Sequence, residues 1–178
     1  MLGLRPFKKC DAEMIATWCR DEGVYKRWGG HLIGSYPLSA ADIIEMYIDK
    51  NGMCEEADNF YAMTAFDDEG PVGSLILRYL NGDRKFIRFG WIIVDGNKRG
   101  KGYGKKMIRQ AFKYAFEILQ AEKVCLGVYE NNPAAQYCYK AAGFRPSTDL
   151  KDKYVDIDGE QWKVIELEIT RKEYEETE

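Results

Sequence analysis

Hydrophobic and polar positions along the chain change their period at one place, and that change separates two kinds of structure. Up to Val94 the apolar runs are short and bounded by turn residues: 2–7, 60–66, 73–79 and 86–94 read as strands. Asp67-Asp68-Glu69-Gly70 and Asn81-Gly82-Asp83 read as the turns between them. After Val94 the period becomes that of a helix. Tyr103, Met107, Ile108, Ala111, Phe112, Ala115, Phe116 and Leu119 form one apolar stripe, with basic residues opposite. Residues 124–128 then read as a strand, 133–142 as a short helix, and 153–157 and 162–170 as two strands joined through Asp158-Gly159. Near the N-terminus, Asp11 is placed to cap a helix whose Met14, Ile15, Trp18 and Cys19 share a face. Ser39 is placed likewise before Ile43, Ile44, Tyr47 and Ile48, and Arg27-Trp28-Gly29-Gly30-His31 reads as a glycine-containing loop between the two helices. The order strand, helices, three strands, helix, strand, helix, two strands predicts an α+β fold with a mixed central sheet rather than a doubly wound parallel one. No repeat or linker divides the chain, so residues 1–178 are expected to form a single domain.

Composition narrows the setting. With 46% hydrophobic and 31% charged residues, the chain has the make-up of a soluble globular protein. It lacks any run of the ~20 apolar residues that a membrane span requires. The first residues lack the basic and apolar blocks of a signal peptide, so a cytoplasmic location and no membrane partner are expected. Five scattered cysteines form no C-x-x-C pair and read as reduced core thiols, and His31 is the only histidine, so no metal site is expected. A net charge of −3 argues against nucleic acid as a partner. That charge is uneven. Lys98, Arg99, Lys101, Lys105, Lys106 and Arg109 follow one another with no acid among them, which points to a compact anionic ligand.

Within that basic stretch, Arg99-Gly100-Lys101-Gly102-Tyr103-Gly104 joins a strand to the long helix. Alternate glycines let the backbone approach a ligand and turn its amides inward, and the helix N-terminus adds partial positive charge. A P-loop is excluded because Gly104-Lys105 is followed by Lys106, and a dinucleotide fingerprint because the spacing is G-x-G-x-G and comes late. The turn resembles the Arg/Gln-x-x-Gly-x-Gly/Ala motif of the GNAT superfamily of acetyl-CoA-dependent N-acetyltransferases. Asn132 to Phe144 is similar to a second motif of that superfamily, N-x-x-A-x-x-x-Y-x-x-x-G-F. The same residues also suit a helix with Asn132 as N-cap, Pro133 in its first turn and Gly143 as its C-terminal stop.

The resemblance implies a mostly antiparallel central sheet of about seven strands flanked by about four helices, with acetyl-CoA as cosubstrate. It implies that Ile92, Ile93 and Val94 offer backbone groups to the pantetheine arm, and that Arg99, Gly100, Lys101, Gly102, Tyr103, Gly104 and Lys105 hold the phosphates. Asn132 would bind the cofactor or cap its own helix, and Tyr139 would be the general acid for the departing thiolate. Two positions depart from the family pattern: Arg88 and Gly127 stand where members carry a general-base glutamate. Glu130 is the nearest other carboxylate, with a solvated loop as its alternative role.

Shorter likenesses over Leu4-Arg5-Pro6, Asp11-Ala12 and Arg27-Trp28-Gly29-Gly30 are to ribosomal-protein alanine N-acetyltransferases and aminoglycoside 6′-N-acetyltransferases. The expected acceptor is a primary amine of a small molecule or a peptide N-terminus, and the expected assembly a monomer or homodimer. A non-catalytic acyl-CoA sensor is the alternative reading.

Overall fold

A computed structural model describes residues 1–177 and shows one sheet of eight strands with helices on both faces. The strands are β1 (Gly3–Pro6), β2 (Phe60–Asp67), β3 (Gly70–Leu80), β4 (Asp83–Val94), β5 (Lys123–Tyr129), β6 (Arg145–Pro146), β7 (Lys153–Ile157) and β8 (Glu160–Thr170). The helices are α1 (Ala12–Trp18), α2 (Glu22–Trp28), α3 (Ala40–Ile44), α4 (Tyr103–Lys113), α5 (Pro133–Ala142) and α6 (Arg171–Glu175). The strands run β1-β2-β3-β4-β5-β8-β6, with β7 also on β8, and every pair is antiparallel except β4–β5. This is the expected mixed α+β class, with eight strands for the expected seven and six helices for the expected four.

The hairpin turns follow their sequences. Asn81-Gly82 and Asp158-Gly159 have φ of 53°, 74° and 53°, 83°, so both central residues of each turn are left-handed, as a two-residue hairpin on twisted strands requires. On one face of the sheet α4, α5 and α6 cover Leu75, Leu77, Ile87, Phe89, Val124 and Leu126. The predicted α4 stripe is buried from Met107 to Phe116 and carries on through a wider turn over Tyr114–Ile118. On the other face α1, α2 and α3 pack Ile15, Trp18, Trp28 and Ile43 against Ile76 and Ile93.

Four expectations near the termini need correction. Asp11 does not cap α1; it is buried and accepts both Arg5 guanidinium nitrogens at 2.7 and 2.8 Å, the Thr64 hydroxyl at 2.8 Å and the Lys8 backbone N–H at 2.9 Å. Residues 27–31 are not a loop throughout, because α2 runs to Trp28 and Gly29, at φ 83°, ends it. Asp21 caps that helix by accepting from Val24 N–H at 2.8 Å. Met14 and Ile48 lie outside the apolar faces assigned to them, each 42% exposed. The short elements β6 and α6 had no clear signal: two residues and five residues are too few to show a period.

Candidate active site

The middle of the sheet is parted. β4 and β5 pair only through Phe86–Lys123, Ile87–Val124 and Arg88–Cys125. Beyond that point β4 stays with β3, while β5 follows β8 as far as Tyr129–Val164. The two strands therefore diverge and leave a wedge between residues 89–94 and 126–129. Alternate residues of a strand turn their N–H and C=O to opposite edges, so the end of β4 presents unpaired backbone groups to this wedge.

A bulge in β4 goes with the divergence. The β3–β4 register slips between Ser74 and Ile76, and Trp91 takes φ 42°. Trp91 is held there by its indole N–H, which donates to Gly29 O at 3.2 Å, and by stacking on Tyr47 at 5.6 Å. Ile92 and Val94 pack toward the α4 face and Ile93 toward the α1–α3 face, so all three predicted residues border the parted edge.

At the mouth of the wedge lies the glycine turn. Gly100 and Gly102 have φ of 74° and 78°, conformations that strain an L side chain, and a Cβ on either would meet nothing within 4 Å. These glycines answer a backbone requirement and leave open space above it. The N–H groups of the first α4 turn have no partner within the helix and face outward from its start. Lys101 and Lys105 are exposed and make no ion pair among the described residues. The residues present thus fit a polyanion such as the phosphates of coenzyme A.

Other predicted contacts have different local tasks. Lys98 pairs with Asp67 at 3.0 Å and with Glu69, and the Tyr103 hydroxyl donates to Asp67 at 2.8 Å. These contacts brace the turn on the β2–β3 hairpin, and hydrogen bonds from Lys98 and Tyr103 hold the Asp67 pKa down to about 2. Gly104 has a packing reason, since a Cβ there would stand 2.9 Å from Cys138 Sγ on α5. Asn132 accepts from Ala135 N–H at 3.3 Å and so caps α5.

Tyr139 comes from α5 into the same core as Phe89 and Phe144 and is 8% exposed. Burial pushes its phenol well above the usual value, so the proton stays on oxygen at neutral pH. Tyr139 and the parted edge of β4 share that cluster with Ile92 and Val94.

The two positions that lack the family's carboxylate turn out to be one unit. Arg88 reaches across β5 to Glu166 on β8, with paired contacts at 2.8 and 3.0 Å. Gly127 lies beneath: a Cβ there would stand 2.6 Å from Arg88 Nη2. Gly127 is also the cross-strand partner of Glu166, which brings a carboxylate back to the region but commits it to arginine. Burial works against the Arg88 charge, yet Glu166 holds its pKa above the usual value. Glu130 is 64% exposed at its side chain and 3.9 Å from Lys163, a solvated loop carboxylate.

A family model for the acetyltransferase (GNAT) domain matches residues 1–145. Among curated proteins the chain is similar to a spermidine N(1)-acetyltransferase of Vibrio cholerae, 29% identical over 105 residues, which cover 59% of this chain and 58% of that protein. It is also similar to a spermine/spermidine N(1)-acetyltransferase of Bacillus subtilis, 32% identical over 74 residues, or 42% of this chain and 45% of that one. The chain thus spans about half the length of the curated relatives it matches. Solved structures resemble it over nearly the whole chain. The spermidine N-acetyltransferase from Vibrio cholerae in complex with CoA and spermine has TM-score 0.78 at 23% identity, covering 97% of each chain. Aminoglycoside acetyltransferase AAC(6')-Ib in complex with coenzyme A and kanamycin has TM-score 0.75 at 19% identity, covering 99% of each. At these identities the likeness is one of fold.

Proposed function

The chain belongs to the GNAT acetyltransferase family, and from that premise we propose that it transfers an acetyl group from acetyl-CoA to a primary amine of a small molecule. The observation that carries this reading is the wedge between β4 and β5, with the open Gly100–Gly102 turn at its mouth and the protonated Tyr139 in the cluster that borders it. Bound there, the cosubstrate would supply a thioester acyl group and a thiolate leaving group. The turn's backbone amides with Lys101 and Lys105 hold the phosphates, and Ile92–Val94 align the pantetheine arm. Unpaired N–H groups on the β4 edge stabilise negative charge developing on the carbonyl oxygen. Tyr139 keeps its proton until thiolate forms and then gives it up as general acid.

The missing base bears on the acceptor. With the Glu166 carboxylate tied to Arg88, the acceptor amine must lose its proton to water or arrive with a lowered pKa. An α-amine titrates near ~7.7–8.0 against ~10.4 for a lysine side chain, so amines of the first kind are partly neutral unaided. The names of the relatives point to polyamines and aminoglycosides; the alkyl amines of a polyamine titrate like lysine and would need water to take the proton, whereas an aminoglycoside amine or a peptide N-terminus fits the lowered-pKa case. The locked Arg88–Glu166 pair is also the one observation that favours a non-catalytic acyl-CoA sensor.

Release of thiol from acetyl-CoA, followed across polyamines, aminoglycosides and peptides with free N-termini, tests the reading. Turnover of a small primary amine is expected. Coenzyme A binding with no thiol release on any amine would establish the sensor instead. Turnover confined to internal lysine peptides would overturn the acceptor class.

A further inference from the structure

Two arginines of the N-terminal helical region, Arg20 and Arg27, lie on the side of the molecule where Arg99 opens the glycine turn. Arg20 follows α1, Arg27 lies in the last turn of α2, and Arg99 opens the turn itself. The Arg20 guanidinium lies over Gly96, where a Cβ would stand 2.7 Å from Nη1 and 3.0 Å from Cζ. Arg27 folds back along α2, so that Nη2 would stand 3.3 Å from a Cβ on Gly23; its charge thus lies at the α1–α2 corner with Arg20. Partial desolvation, then the Arg20 and Arg27 charges, lower the pKa of Arg99, with Asp21 and Asp95 opposing them.

The acids in reach are engaged with backbone. Asp21 accepts from Val24 N–H at 2.8 Å and Asp95 from Asn97 N–H at 2.9 Å. Among the described residues none of the three arginines makes an ion pair. Several other guanidinium groups are matched, as in Arg5–Asp11, Arg88–Glu166 and Arg145–Glu168. An open cavity of about 250 Å³ lies beside Arg20, lined by Trp18, Asp95, Gly96 and Asn97 among others; Arg27 and Arg99 do not line it.

We propose that Arg20 and Arg27 join Arg99 as a side-chain phosphate clamp, which reaches from the α1–α2 corner over the glycine turn to hold phosphate of the bound coenzyme A. The clamp rests on the cofactor reading above. Its occupant follows from continuity, because Arg99 belongs to both the turn and the cluster. Three like charges repel within a screening length of ~8–10 Å, and a polyanion turns that repulsion into attraction. The division of labour is physical: backbone amides hold one phosphate, while guanidinium forks reach oxygens beyond the amides' range and bind them in pairs.

Calorimetric titration of coenzyme A, 3′-dephospho-coenzyme A and pantetheine tests the clamp on wild type, Arg20→Ala, Arg27→Ala and the double variant. The double variant should bind coenzyme A roughly tenfold or more weakly, with a flatter salt dependence, and pantetheine unchanged. If the loss vanishes with the dephospho ligand, the clamp holds the 3′-phosphate; if it persists, the clamp holds the pyrophosphate. Either outcome supports it. Equal coenzyme A affinity in the folded double variant would overturn the clamp alone, as would an equal loss for pantetheine. A folded wild-type protein that binds no coenzyme A would sink the cofactor reading beneath it as well.

Discussion

The two ends of the β4–β5 seam handle charge in opposite ways. At the paired end every buried charge is matched. Arg88 meets Glu166, and Glu168, fully buried, accepts from Arg145 at 2.9 Å, from Thr148 at 3.1 Å and from Ser147. At the parted end the cations are exposed and unmatched, in Arg99, Lys101, Lys105 and the two arginines of the α1–α2 corner. A buried charge must find its partner inside the chain, because losing water costs several kcal/mol per ion. An exposed one can leave the partner to a ligand. The closed end therefore reads as scaffold and the open end as site, in keeping with the arginine and glycine that stand at the two positions where the family resemblance would look for a base.

The largest effect should come from opening the closed end. Glu166→Ala leaves Arg88 buried without a partner and should cost about 3–5 kcal/mol of stability, read from urea unfolding. A variant as stable as wild type would show that the pair is not structural, and the contrast between the two ends would fail. Next comes closing the open end. Gly102→Glu puts an anion in the cradle and a side chain at positive φ, which should weaken coenzyme A binding by roughly 100-fold or more (~2.7 kcal/mol). The fold should lose only ~1–2 kcal/mol, because nothing within 4 Å resists the new side chain. Unchanged affinity in the folded variant would move the phosphate site elsewhere.

Tyr139→Phe sharpens the comparison within the wedge. Removing the hydroxyl should lower kcat by roughly 100-fold, the low end for a general acid, with KM and melting temperature little changed. Lost stability with kcat intact would return Tyr139 to the core. The smallest effect is acid dependence of the brace behind the turn. Asp67 has a depressed pKa of about 2, so its contribution is fully present above the unfolded value of ~3.9 and disappears as pH falls through 2. Asp67→Asn should flatten the urea midpoint between pH 4 and pH 2 relative to wild type. Identical pH profiles would mean that Lys98 and Tyr103 do not depend on that carboxylate.

Much of the site was legible because its signals are local. Gly100 and Gly102 announce a backbone that must turn left-handed, and Asn132, Pro133 and Gly143 mark the start and stop of α5 within one stretch of chain. The Lys98 pairing was hidden because its partners, Asp67 and Glu69, lie about thirty residues earlier and read simply as an acidic turn. Asp11 misled in a similar way. A carboxylate before a helix is a good cap by propensity, but Arg5 and Thr64 offered stronger bonds once β1 and β2 had paired.

By itself the sequence determined where the longer strands and the two long helices run, and where the left-handed turns and the glycine turn lie, since each depends on contacts within a few residues. Only the tertiary structure decided that β4 and β5 part after Arg88, that Gly127 makes room for an arginine, and that Arg20 comes to lie over Gly96. The reason is that pairing across a sheet and charge across a cleft join residues whose separation in the chain carries no periodic signal. Such contacts exist only after the hydrophobic faces have chosen their partners.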